Sequence, residues 1–161
     1  MKKKIEITIT GASYSGNKGA YAMLQSIIPI IKENNSIVHF TILSVYPKED
    51  KKQKPEQETS IISCKPLWLI AVVFPLAILS YLFSWSKIIQ TLLNKNKIIN
   101  TYQKTDLVID ASGISYSDNR KLIMNIYAFI MNAVPILLKK DIIKYAQAIG
   151  PFKKNIKYSN P

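Results

Sequence analysis

Glycine is scarce in this chain, with five in 161 residues, and three of them, Gly11, Gly16 and Gly19, stand within nine positions. The residues between them include Ser13, Tyr14, Ser15, Asn17 and Lys18, side chains that suit phosphate oxygens or sugar hydroxyls. A glycine-rich turn that opens a helix also presents free N–H groups and a partial positive charge to an anion. The spacing approaches the phosphate-loop pattern G-x-x-x-x-G-K-[ST] and departs from it where the chemistry is decided. Asn17 occupies the lysine position and Lys18 the position of the magnesium-binding hydroxyl. The dinucleotide pattern G-x-G-x-x-G is absent as well. A phosphate-loop nucleotidase and a nicotinamide-dependent dehydrogenase are therefore excluded. Two readings remain, a polar cradle for phosphate or sugar and a turn that merely needs Gly and Asn, and the pattern favours neither.

A second chemical group is Asp110, which ends a short apolar run and is followed by Ala111, Ser112, Gly113 and, further on, Asp118. Its carboxylate could accept a hydrogen bond from a sugar hydroxyl, act as a base, or cap neighbouring backbone N–H groups. Ser112 beside Gly113 is no nucleophile elbow, because the G-x-S-x-G spacing is missing. The lone His39 falls in a strand pattern and reads as structural; nothing in its sequence position suggests a triad. The lone Cys64 excludes an internal disulfide, and one Cys with one His leaves no ligand set for zinc. No metal and no cofactor are expected.

Lys and Arg number 22 against 10 Asp and Glu, a net charge of +12. Such an excess suits nucleic acid, an anionic membrane surface or an anionic substrate. Only one of the cations is arginine, Arg120, whereas nucleic-acid readers favour arginine forks, so nucleic acid is not the expected partner. The basic start is not followed by an apolar run, since Glu6 interrupts it, so no signal peptide is read and a cytoplasmic protein is expected.

The elements that would position these residues follow from periodicity. Ile5, Ile7 and Ile9 alternate with polar neighbours as a first strand. Ala20, Leu24, Ile27, Ile28 and Ile31 mark one helical face, with Pro29 expected to kink or end it. Residues 37–44 read as a second strand, residues 48–58 as a solvated charged loop, and residues 59–63 as a short strand. Residues 106–110 and 142–149 read as further strands, with a long helix over residues 123–137 between them. Gly113 and Gly150 close two of these strands, so every glycine lies at a strand end. Helices between strands imply a Rossmann-like α/β fold, a parallel sheet with flanking helices and ligands at its carboxyl edge.

Residues 67–85 carry no charge; as one helix they would extend roughly 28 Å, close to a bilayer core. Trp68 and Trp85 lie near the ends, with Lys65 and Lys87 outside them. A single span would separate strands of one sheet across the membrane. The expected arrangement is a hairpin broken near Pro75, lying in one leaflet or buried in the domain, and a true span is the lesser alternative.

Three separated segments resemble the N-terminal half of the polysaccharide pyruvyl transferase family: Ser15, Gly16, Asn17, Lys18, Gly19 and Ala20 after the first strand; the run from Leu107 through Asp110, Ser112 and Gly113 to Asp118; and Tyr145, Gln147, Gly150, Pro151 and Phe152. The likeness covers nearly all of residues 1–161. It implies one Rossmann-like half of a two-domain, glycosyltransferase-B-like enzyme, with the donor-binding half missing and the chain a fragment. The implied reaction moves the enolpyruvyl unit of phosphoenolpyruvate onto a sugar of a surface polysaccharide or its lipid-linked precursor, forming a ketal. By that resemblance Asp110 handles the proton. Ser15, Gly16, Asn17, Lys18, Gly19, Ser112, Gly113, Asp118 and Gln147 bind the acceptor. The chain departs from the family at Ala20, where an acidic residue is common, and in its fewer glycines around Ser112. The enzyme would sit at the inner face of the cell membrane, on an anionic leaflet. Alternatives are a glycosyltransferase using a nucleotide sugar and a non-catalytic, membrane-associated remnant.

Overall fold

The computed structural model describes residues 4–34, 37–53, 58–116, 122–146 and 148–149. In chain order the elements are β1 (Ile5–Thr10), α1 (Lys18–Asn34), β2 (Val38–Ser44), α2 (Pro47–Gln53), β3 (Thr59–Ser63) and α3 (Pro66–Trp68). A π-helical turn over Leu69–Val73 leads into α4 (Phe74–Leu82), and α5 (Lys87–Leu93), α6 (Lys97–Lys104) and β4 (Leu107–Asp110) follow. The remainder comprises β5 (Ile114–Tyr116), α7 (Leu122–Leu137), β6 (Ile142–Lys144) and β7 (Ala148–Ile149).

Five strands form a parallel sheet in the order β3-β2-β1-β4-β6. The fold is thus α/β and Rossmann-like. From β1 the chain builds outward through β2 and β3, then returns to add β4 and β6 on the other side. The loops leaving β1 and β4 therefore diverge from adjacent strand ends, the topological switch point of such sheets.

The alternation in the strands sorts side chains between two cores. Ile7 and Ile9 join Phe40, Ile42, Ile61 and Ile109 on one face, where Leu24, Ile27 and Ile28 of α1 cover them. Leu43 and Val108 lie in the opposite core with Leu69, Val73, Ala77, Ile99, Tyr102, Ile130 and Val134. Burying such side chains contributes about 1.5–3 kcal/mol each.

Pro29 does not end α1, which runs on to Asn34. The proline is exposed, so the carbonyl one turn back that loses its partner can face water. Pro75 does not break the apolar segment into a hairpin either. The backbone stays helical from Pro66 to Leu82, and Phe74 N–H bonds Leu69 O, five residues back. That widened turn makes room for the ring of Pro75 immediately after it. The reversal comes later, after Phe83, where the Gln90 side chain accepts from the Ser80 hydroxyl and donates to the Ser80 carbonyl, tying α5 against α4. Among the described residues no helix is long and apolar enough to cross a membrane.

Two further expectations are corrected. Residues 48–58 are not simply a solvated loop, since α2 occupies Pro47–Gln53 and buries Asp50 completely. The strand expected over residues 142–149 is two strands. Tyr145 N–H makes a last bond to Asp110 O, Ala146 takes φ +50°, and β7 then pairs with β5 in a separate two-stranded sheet.

Candidate functional site

The loop after β1 turns at Gly11, whose φ of +75° favours glycine. A side chain there would also collide with Ser112, since a Cβ would lie 2.7 Å from the Ser112 backbone nitrogen. The two glycine-bearing loops thus touch at the switch point. Gly113 also has positive φ, +67°. Ser13 Oγ accepts a 2.8 Å hydrogen bond from Gly16 N–H and closes the tip of the first loop.

The loop is held from below by a group that sequence reasoning overlooked. Asp50 Oδ1 accepts hydrogen bonds from Ser15 N–H, at 2.8 Å, and from the Ser15 hydroxyl. Ser15 therefore faces inward to α2. Asn17 caps α1, its Oδ1 accepting from Ala20 N–H at 2.8 Å, and Tyr21 N–H bonds Asn17 O. Gly16, Asn17, Lys18 and Gly19 are exposed around that helix start.

Asp110 ends β4, is 2% exposed, and accepts a 3.1 Å bond from Ser112 N–H. Its other oxygen faces Lys144 Nζ at 3.3 Å. Lys144 stands opposite Asp110 in the β4–β6 register; knowledge of the strand order would have revealed it. Lys144 and the Ser112 amide thus give both oxygens of this buried side chain a polar partner. Asp118 and Gln147 lie outside the described residues, as does Gly150.

Two hollows open along this edge. One of about 200 Å³ is lined by Gly11, Ser13, Gly16, Asn17, Tyr46 and Tyr127. Burial raises the Tyr127 hydroxyl above its ordinary value, so it remains a donor. The other, of about 600 Å³, lies beyond the end of β3 and gathers Lys48, Lys51, Lys95 and Lys97 beside Trp68 and Asn96. Four lysines lining one hollow give it a basic character that suits an anionic occupant. Among the described residues no group of three His, Cys, Asp or Glu side chains could hold a metal ion.

Cys64, fully buried just beyond β3, takes no part in either hollow. Burial pushes its thiol from an ordinary 9.0 up to about 12. The thiol should not react with Ellman's reagent at pH 8 until the protein is denatured. Because the folded state holds the proton more tightly, this contribution to stability is complete below about pH 9 and is lost as pH rises toward 12. Denaturation midpoints measured across that range should fall, and by less in Cys64→Ala.

No family model matches the chain, and no curated protein matches it significantly. Among solved structures it is similar to the phenylacrylic acid decarboxylase from Aquifex aeolicus, with 15% identity over 89% of this chain and 81% of that one. The TM-score is 0.32, too low to bear on fold or chemistry.

Proposed function

We propose that this chain is the acceptor-side domain of a pyruvyl transferase, moving the enolpyruvyl unit of phosphoenolpyruvate onto a sugar of a surface polysaccharide or its lipid-linked precursor. The observation that carries the reading is the contact of Gly11, in the loop that leads into the first resembling segment, with Ser112 of the second, beside the buried Asp110 and its exposed partner Lys144. A carboxylate at that position can take the proton of an acceptor hydroxyl as it adds to the enol carbon. The four-lysine hollow suits the phosphate groups of a lipid-linked acceptor, while the donor belongs to a facing domain. The test joins this chain to such a domain and supplies phosphoenolpyruvate with candidate saccharides. Release of phosphate together with a ketal on the sugar supports the reading. Consumption of nucleotide sugar instead, with phosphoenolpyruvate untouched, replaces it with glycosyl transfer.

The same reading places the protein on an anionic membrane surface. The turn joining α4 to α5 exposes Trp85 (77%), and the start of α5 adds Lys87 and the exposed Ile88 (84%). Apolar side chains beside lysines suit a leaflet interface, each lysine contributing about 1 kcal/mol near anionic lipid. Sedimentation with phosphatidylserine vesicles should show binding that weakens with salt and falls about tenfold or more in the Trp85→Ala, Ile88→Glu double variant. Equal binding by the variant would remove the turn from any membrane contact.

A further inference from the structure

The opposite end of the sheet carries a second constellation, built on the chain's only histidine. Glu6 of β1 pairs in register with His39 of β2, and Ser60 of β3 pairs with Thr41, two residues further along β2. The three side chains Glu6, His39 and Ser60 thus share one face of adjacent strands. His39 Nδ1 lies 2.7 Å from Glu6 Oε2, and its Nε2 lies 3.0 Å from Ser60 Oγ. A carboxylate can only accept, so Nδ1 carries the proton and Nε2 is free to accept from the Ser60 hydroxyl. This is the nucleophile–base–orienter order of acyl-transfer enzymes, which is recognised by geometry rather than by chain position.

The face is also open. A cavity of about 470 Å³ is lined by all three residues together with Thr8, Thr41, Thr101, Lys104 and Thr105. His39 keeps 23% of its side chain exposed and Glu6 32%. The cavity lies where the polar face of α6, through Thr101 and Lys104, meets the polar residues of β1, and Thr8 bonds Thr105 just after that helix. Glu6 is itself fixed by Lys4 at 3.1 Å on its second oxygen and by its backbone N–H bond to Asp106. Lys104 also lines the cavity, a cation that suits a developing oxyanion.

We propose that Ser60, His39 and Glu6 form a second, acyl-accepting site that cleaves small esters, distinct from the carboxyl-edge cleft. Ser60 Oγ attacks the ester carbonyl while its proton passes to His39 Nε2. The bond to the alcohol oxygen breaks, and the departing alkoxide takes that proton. Water then attacks the acyl-serine with His39 again as base, releasing the carboxylic acid and restoring the Ser60 hydroxyl. Glu6 holds the imidazole in the required tautomer and stabilises its cationic form.

The experiment treats the purified protein with a fluorophosphonate and follows p-nitrophenyl acetate hydrolysis in parallel. The expected result is one adduct, mapped to Ser60, absent in Ser60→Ala and after urea denaturation. His39→Gln should slow both labelling and hydrolysis about 100-fold, and Glu6→Gln should slow them less. Circular dichroism establishes that each variant is folded; were His39→Gln unfolded, the position of the wild-type adduct would still decide. No adduct on Ser60, or labelling of folded His39→Gln at the wild-type rate, overturns the proposal. Neither readout involves phosphoenolpyruvate, so the outcome is independent of the carboxyl-edge reading.

Discussion

Replacing Asp110 by Asn should lower pyruvyl transfer about 100-fold or more on the proposed reading, with the fold retained. Asn presents the same oxygen to Ser112 N–H, so the turn after β4 keeps its bond. What disappears is the negative charge that faces Lys144 and could receive a proton from the acceptor. The loss should fall on kcat rather than on acceptor KM, because a proton acceptor acts as the bond forms. Lys144→Met gives the complementary result. It removes the 3.3 Å ion pair to Asp110, 2% exposed, and turnover should fall without loss of the fold. Phosphate release from phosphoenolpyruvate, measured on the chain joined to a donor-binding domain, reads both variants. Near-normal turnover in Asp110→Asn would remove Asp110 from the chemistry.

Gly11→Val should be the most destabilising single substitution at the site, by about 3 kcal/mol or more. Two independent costs coincide there. The backbone holds φ +75°, where a β-branched residue is strained. The new Cβ would also meet the Ser112 backbone at 2.7 Å, and backbone cannot swing aside as a long side chain can. The loops after β1 and β4 would separate, which disturbs the site and the sheet end together. Urea denaturation of Gly11→Val against Gly19→Ala makes the comparison. A Cβ at Gly19 meets at closest Asn17 Oδ1, at 3.3 Å, so that variant should lose far less. Equal midpoints would show that the close approach of the two loops does not hold in solution.

The sheet was legible because its strands alternate or run apolar between turn signals, and because helices intervene. Ile7 and Ile9 announce β1, and the helical face of Leu24, Ile27 and Ile28 announces α1. Less legible was α2, although its signals were present: Pro47 at the start, Glu49 and Asp50 in the first turn, Lys51 and Lys52 in the last. Local charge masked them, since a run of Lys and Glu reads as solvated unless one carboxylate is known to be buried. That burial is a tertiary fact created by Ser15, 35 residues away. The same limit hid Lys144 opposite Asp110 and the relay from Glu6 through His39 to Ser60. Each joins residues on neighbouring strands, and strand adjacency is not written in local periodicity. The break at Ala146 was invisible for another reason, since nothing in an alanine signals φ +50°.

The strand order also sets a timetable for the nascent chain. β1 is the central strand, yet its partner on one side is β4, whose neighbour Asp106 bonds Glu6 across 100 residues of sequence. On the ribosome β1 can zip to β2 and β3 early, but its other edge keeps open N–H and C=O groups until β4 emerges. Unpaired parallel edges of this kind recruit other chains. The period between synthesis of β3 and of β4 is therefore when this protein most needs a chaperone, and slow translation through the apolar α3–α4 segment would lengthen it.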